Sequence, residues 1–242
     1  MKRALVFGAS GAIGQAICQE LADCGWSLYL HFNGHEAQVD HQCEKLVSEY
    51  PKQDFLPFKL DFLCSNDELE RGIRQLLPIN TVIFAQGITK FSFFGEQSLN
   101  QIDQIMQINL ITPVKIVRLL EPKLLKTTHA RILFLGSVYG GQGSAMESIY
   151  SLTKGALSRF AQSYAREVAS NGMTVNVLAP GAVESSMNQI FSEQTMAQVK
   201  SEIPAGRLAQ PKEISYWVKT LLDPRADYLT GQTIYVDGGW LM

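Results

Sequence analysis

The sequence predicts a doubly wound α/β domain built on one parallel sheet. Seven β-rich runs are spread along the 242 residues, with helical patterns between them. A glycine-rich turn follows the first run at once, and no linker, repeat or low-complexity stretch breaks the alternation. Strands joined through helices pair in parallel by right-handed crossovers, so helices cover both faces of the sheet.

The first strand is expected over Arg3–Phe7, where Ala4-Leu5-Val6-Phe7 runs apolar until Gly8. Ile13, Ala16, Ile17 and Leu21 then recur at helical spacing, which buries one face of the first helix. The second strand is Ser27–Phe32, and later strands are expected at Phe55–Leu60, Thr81–Ala85, Arg131–Leu135, Thr174–Leu178 and Thr233–Val236. The clearest helix carries Leu157, Phe160, Ala161, Tyr164, Ala165 and Val168 on one stripe. Residues 1–242 are expected to form a single domain.

Composition narrows the function classes. Hydrophobic residues make up 46% and charged residues 18%, a balance that excludes intrinsic disorder. Lys and Arg total 21 against 23 Asp and Glu, a net charge of −2 without a basic run. That leaves no electrostatic footprint for nucleic acid or an anionic membrane. No apolar stretch approaches the ~18–20 residues that span a bilayer. Lys2-Arg3 and the apolar residues after them open like an export signal, but Gly8 cuts the run short and a strand is expected instead. Cys18, Cys24, Cys43 and Cys64 include no CxxC pair and suit a reducing cytoplasm, with Cys18 read as core. His31, His35, His41 and Cys43 match no closed tetrahedral site, so no metal is expected.

In such a sheet the ligand lies beyond the carboxyl ends of the strands. The turn Gly8-Ala9-Ser10-Gly11-Ala12-Ile13-Gly14 sits there, between a strand and a helix. Glycines let the backbone approach a pyrophosphate, and the helix start offers free N–H groups and a positive dipole end. Tyr150 and Lys154 lie four apart on one helix face. A phenol titrates near 10, and a nearby ammonium favours its ionised form, which would bring it into working range. Ser137, directly after the fifth strand, can donate to an oxygen that gains negative charge. Taken singly, a Tyr–Lys pair at this spacing and a glycine-rich turn are both common surface features.

Together these residues resemble the short-chain dehydrogenase/reductase family. Ser137, Tyr150 and Lys154 stand in the family's order, and Asn109, in Ile108-Asn109-Leu110, falls where the family has a fourth catalytic residue. The resemblance continues through Pro180-Gly181 and Leu229-Thr230-Gly231-Gln232 to Asp237-Gly238-Gly239. It implies a Rossmann-type fold and an oxidoreductase that moves hydride between a nicotinamide cofactor and a ketone. Tyr150 would donate the proton, Lys154 lower its pKa and hold the ribose, Ser137 orient the carbonyl and Asn109 position a relay water. Cofactor contacts are implied at Gly8, Ser10, Gly11, Ala12, Ile13 and Gly14, at Asp61 for the adenine, and at Gly87, Tyr150 and Lys154. Pro180, Gly181, Val183 and Ser185 would lie beside the nicotinamide. The resemblance also implies a homotetramer or homodimer packed partly through the Asn109 and Tyr150 helices, and a lid from Val183 to Leu208.

Three departures stand out. Phe7 replaces the usual Thr before Gly8, Ala12 replaces the middle glycine, and Phe84-Ala85-Gln86-Gly87 replaces Asn-Asn-Ala-Gly after strand four. For the cofactor, NAD-specific sites place a carboxylate at the end of strand two. Here His31-Phe32-Asn33-Gly34-His35 carries none before Glu36, and His31 and Asn33 can donate to a 2′-phosphate. Gly11 stands where a partner Arg is usual. NADPH is therefore expected over NADH.

For the substrate, Arg166-Glu167-Val168-Ala169 and Gly206-Arg207-Leu208 look like the 3-oxoacyl-[acyl-carrier-protein] reductases of that family. The basic residues such enzymes place before strands five and six correspond to Thr128 and Asn171, with Lys123, Lys126 and Arg131 nearby. Glu147, three residues before Tyr150, stands where a neutral side chain is usual, and an acid there would attract an ammonium. The enzymatic alternative is thus a reductase of an amine-bearing ketone carried on a modified protein lysine, like the elongation factor P 5-aminopentanone reductases. A cofactor-sensing binding module is the alternative outside enzymes. Phe91, Phe93 and Phe94 either line an apolar pocket or pack beneath their loop.

Overall fold

A computed structural model describes residues 2–185 and 192–240. The chain runs β1 (Arg3–Phe7), α1 (Ala12–Asp23), β2 (Ser27–Phe32), α2 (Glu36–Glu49), β3 (Phe55–Lys59), α3 (Asn66–Arg74) and β4 (Thr81–Phe84). It continues with α4 (Leu99–Met106), α5 (Thr112–Leu124), β5 (Arg131–Leu135), α6 (Ser148–Val168), β6 (Thr174–Pro180), α7 (Glu193–Glu202), α8 (Pro211–Leu221) and β7 (Thr233–Val236). The strands form one sheet in the order β3-β2-β1-β4-β5-β6-β7, every neighbouring pair parallel. The predicted fold class is the observed one. Strand β6 runs two residues further than expected because Ala179 and Pro180 pair with Tyr235 and Val236 of β7. Pro57, which cannot donate to a ladder, is tolerated because β3 is an edge strand.

Side chains alternate across the sheet and build a separate core on each face. Leu5, Phe7, Ile132, Phe134, Val175 and Val177 face α3, α5 and α6. Ala4, Val6, Leu133, Leu135 and Leu178 face α1, α2 and α8, where Cys18 is fully buried. Phe7, Phe84 and Phe134 are register partners on β1, β4 and β5. Their rings stack at 5.0 Å and 4.9 Å, with interplanar angles of 8° and 13°. Two of the three departures from the family pattern, Phe7 and the first residue of Phe84-Ala85-Gln86-Gly87, are therefore packed on each other.

Between α4 and α5 the helix widens into a π-helical segment, Gln107–Ile111. Pro113 has no N–H to close the usual bond onto Asn109, and the Thr112 N–H reaches back five residues to the Gln107 carbonyl. Phe91, Phe93 and Phe94 are partly exposed on the loop after β4. Residues 186–191 of the expected lid lie outside the described residues, while its two ends are pinned together by a bridge between Val183 and Ala209. No helix among the described residues is long and apolar enough to cross a membrane.

Removing the central ring of the stack leaves a cavity between two neighbours that cannot close it. Phe84→Ala is expected to lower the unfolding free energy by about 3–5 kcal/mol, read as an earlier midpoint in urea. A shift below about 1 kcal/mol would show that the stack does not organise the sheet.

Candidate active site

The carboxyl ends of β1, β4, β5 and β6 converge on one edge of the sheet, and the motifs read from the sequence meet there. Gly8 adopts φ +75°, and a Cβ on it would lie 2.7 Å from the Gln86 backbone nitrogen. A methyl group at Gly14 would collide with the Gly8 carbonyl, so α1 can enter this close to the turn only with glycine there. Gly11 is the N-cap of α1 and leaves its cap without a side-chain acceptor, so the first-turn N–H groups of Ala12, Ile13 and Gly14 offer an anion site. Ser10 is half-buried in the turn, and its carbonyl accepts from the side chains of Gln15 and Gln38. This open cradle fits a dinucleotide pyrophosphate.

The end of β2 corrects one expectation. His31 is buried, its Nδ1 accepts from the Gly8 N–H at 3.2 Å, and its Nε2 donates to the Leu60 carbonyl at 2.9 Å. Both ring nitrogens are committed, so His31 has no donor for a 2′-phosphate. Burial pushes its pKa down to about 4, against weaker opposition from the Leu60 hydrogen bond and the Asp61 charge. Asn33 and Asp61 are exposed at the same edge, and Asp61 accepts from the Leu63 N–H at 2.9 Å.

Asn109 comes from the π-helical segment and is 1% exposed. Its Oδ1 accepts from the Ile88 N–H at 2.9 Å, and its Nδ2 donates to the Ile88 carbonyl at 2.8 Å and to Thr153 Oγ1 at 3.3 Å. The side chain clamps the loop after β4 onto α6, and none of its polar atoms is left over. Gly87 lies in that loop, where a Cβ would sit 3.4 Å from Lys154 Nζ and 3.6 Å from Asn109 Oδ1. Pro180 closes β6, and Gly181 packs so tightly against Asp237 that a Cβ would meet it at 2.9 Å. Val183 is buried and Ser185 half-buried just beyond.

Ser137 follows β5 through Gly136, its Oγ accepts from the Tyr139 N–H at 3.2 Å, and it lies close enough to the Tyr150 phenol to favour its ionised form. Tyr150 and Lys154 share the site face of α6, with the Lys154 ammonium 5.5 Å from the phenol ring centre. Lys154 is buried and donates to the Leu135 carbonyl at 2.6 Å, and burial pushes its pKa down to about 8. Tyr150 is pushed up to about 12 by burial, with Ser137 opposing and Glu147 and Tyr139 adding to the rise. This differs from the expectation that Lys154 lowers the phenol, because desolvation governs both groups. Glu147 stands at the start of α6, half-buried, accepting from Thr89 Oγ1 at 2.8 Å and Ser144 Oγ at 3.4 Å. The arrangement offers a protonated phenol, a hydroxyl beside it and a buried cation behind it, next to an anion cradle.

Thr153, Thr89 and the Leu135 carbonyl were not among the residues singled out from the sequence. Thr153 donates to the Tyr150 carbonyl at 2.7 Å while accepting from Asn109, 44 residues away. Thr89 reaches Glu147 across 58 residues of chain. No local pattern announces such contacts, since they exist only once β4 and α6 lie side by side. Among the described residues, no group of three or more His, Cys, Asp or Glu is disposed to hold a metal.

Fold and site define a Rossmann-type α/β protein of the oxidoreductase class. Comparison with known proteins makes the class specific. Residues 8–241 match a family model described as enoyl-(acyl carrier protein) reductase. The uncharacterized oxidoreductase YmfI of Bacillus subtilis is 33% identical over 240 residues, covering 99% of this chain and 98% of that one. The 3-oxoacyl-[acyl-carrier-protein] reductase FabG of Escherichia coli is 32% identical over 247 residues, covering 100% and 98%. A crystal structure of a 3-oxoacyl-[acyl-carrier protein] reductase from Brucella melitensis superposes with a TM-score of 0.92 at 25% identity, covering 100% and 91%. A second Brucella structure, described with bound NAD, gives 0.90 at 25% identity with the same coverage. The chain belongs to the short-chain dehydrogenase/reductase family, whose enzymes use nicotinamide cofactors.

The His31 geometry has a pH signature. An imidazole held neutral down to about pH 4 contributes its stability in full above the unfolded value near 6.5. That contribution drains away as pH falls towards 4, because only the unfolded chain gains the proton. The gap corresponds to about 3 kcal/mol. Denaturation midpoints measured from pH 7 to 4.5 are expected to fall more steeply for the native chain than for His31→Phe. Parallel slopes would refute the buried neutral ring.

Proposed function

We propose that this chain is an NADPH-dependent reductase of ketones, of the 3-oxoacyl-[acyl-carrier-protein] reductase kind. The observation that carries the reading is the convergence of the Tyr150 phenol, Ser137 after β5, the buried Lys154 ammonium 5.5 Å from the phenol ring and an open glycine cradle. The turn from Gly8 to Gly14 would hold the pyrophosphate, Asp61 the adenine side, and Pro180, Gly181, Val183 and Ser185 the nicotinamide side. The cofactor supplies the hydride. Ser137 aligns the carbonyl oxygen, and Tyr150 gives it the proton as charge develops. Lys154, with its pKa down at about 8, is still mainly an ammonium at neutral pH and would hold the ribose. It also restores the Tyr150 proton. Asn109 shapes the path of the relay water by fixing Ile88 and Thr153. With His31 occupied, preference for NADPH rests on the missing carboxylate after β2 and on exposed Asn33.

We place the protein in the cytoplasm, since its four cysteines are free. A homotetramer or homodimer is supported by exposed Leu99, Ile111 and Leu152 along α4, the π-helical segment and α6. The intact Ser137, Tyr150 and Lys154 cluster argues for turnover over cofactor sensing alone. Tyr150→Phe is expected to lower kcat about 10²–10⁴-fold, with the dinucleotide Kd nearly unchanged. In the same assay kcat/KM is expected to be higher with NADPH than with NADH. A wild-type kcat in the variant, or equal or reversed cofactor ratios, would overturn the respective assignment.

Two observations favour the second reading, an amine-bearing ketone. No ion pair joins Glu147 among the described residues, and its carboxylate stands close enough to Tyr150 to raise the phenol's pKa. Two of the three cations near a carrier-protein docking face are already employed, while Lys126 is exposed. Lys123 donates to the Ile73, Arg74 and Leu76 carbonyls, and buried Arg131 pairs with Asp227. Glu147→Gln is expected to weaken turnover of an aminoketone about tenfold while sparing a neutral ketone. Equal effects on both, or robust activity only with an acetoacetyl-carrier protein, would return the substrate to the carrier-protein class.

A further inference from the structure

The glycine turn lacks the hydroxyl that its family usually places before the first glycine, because Phe7 occupies that position with its ring buried in the aromatic stack. Something else must hold the turn. Two consecutive N–H groups leave the end of β1, and both go to one residue. The Gly8 N–H donates to His31 Nδ1 at 3.2 Å, and the Ala9 N–H donates to the His31 carbonyl at 3.1 Å. The same ring donates from Nε2 to the Leu60 carbonyl at 2.9 Å, at the end of β3 beside Asp61. It is packed by the rings of Phe7 at 4.9 Å and Phe62 at 5.1 Å, with Phe58 at 6.2 Å.

These partners leave no freedom in the protonation state. A backbone N–H can only donate, so Nδ1 must be bare, and a carbonyl can only accept, so Nε2 must carry the proton. A protonated Nδ1 would point a hydrogen at the Gly8 hydrogen. Asp61 is the charged group that bears on the ring, from the segment after β3. Asn, Thr or Ser in place of the imidazole could reach one of these partners but not both.

We propose that His31 is a positioning residue for the dinucleotide site, fixing the Gly8 turn as a neutral Nε2–H imidazole that bridges β1 and β3 through β2. It acts on the pyrophosphate cradle and not on the adenosine 2′-phosphate, so it serves NADH and NADPH alike. The inference rests on the reading of this turn as the dinucleotide site.

The test compares the native chain with His31→Phe, which keeps the ring volume, and His31→Asn, which keeps an acceptor towards Gly8. Dinucleotide Kd is measured by fluorescence titration, alongside kcat at saturating cofactor. His31→Phe orphans the Gly8 N–H and is expected to raise Kd for both dinucleotides by about tenfold with kcat preserved. His31→Asn is expected to recover most of the affinity. Long-range proton–nitrogen NMR of the native chain is expected to show the Nε2–H tautomer. A native Kd in His31→Phe, whatever its melting temperature, would overturn the proposal by reducing His31 to a packing residue. Selective loss of NADPH would overturn it in favour of direct 2′-phosphate contact, and an Nδ1–H tautomer would overturn it on geometry alone. If the native chain bound neither dinucleotide, the reading of the turn itself would fail, and the proposal with it.

Discussion

Phe7, Phe84 and Phe134 stack face to face across three neighbouring parallel strands, and the chemistry-bearing edge of the molecule hangs from that stack. In a parallel sheet a ring on one strand sits directly beside its register partners, so three stacked rings fix β1, β4 and β5 against sliding. The segments that leave those strands are thereby placed as well: the glycine turn after Phe7, the Gly87 loop after Phe84 and Ser137 two residues past Leu135. The rings take over the space of polar groups that the family uses beneath the turn. An apolar support needs no buried hydrogen-bond partners, but it supplies none to the turn above it. The imidazole of His31, packed on Phe7, meets that need from the neighbouring strand.

A second layer of order is polar. Asn109 ties the loop after β4 to Thr153, Thr153 ties α6 to itself at Tyr150, and Glu147 ties the start of α6 back to Thr89. These bonds cross between elements that share no local sequence. They join the helix that carries Tyr150 and Lys154 to the loop that carries Gly87. Asn109 reaches this position from the π-helical segment Gln107–Ile111, just before Pro113, which has no N–H to give to Asn109.

Electrostatics in the site are governed by burial more than by pairing. Lys154 and Tyr150 are each driven towards their neutral forms by burial. The Leu135 carbonyl, at the end of a strand held by the stack, anchors the Lys154 ammonium. The aromatic support and the anchor of the buried Lys154 ammonium therefore share one strand.

Much was legible in the sequence itself. Short apolar runs of strand length, set between helical patterns and turn residues, located the seven strands. The glycine turn and the Tyr150–Lys154 pair were legible as local features, because the geometry of each follows from a turn or a helix, while the family resemblance linked them to Ser137 as a candidate site. The roles of Phe7, His31 and the phenol's pKa were decided only by tertiary structure. Phe7 became intelligible once Phe84 lay beside it. His31, an exposed-looking donor in its loop-flanking sequence, is buried with both nitrogens spoken for, because β3 brings the Leu60 carbonyl to it. The Tyr150 phenol sits high because desolvation depends on everything packed around it, and burial is not a property that neighbours in sequence can specify.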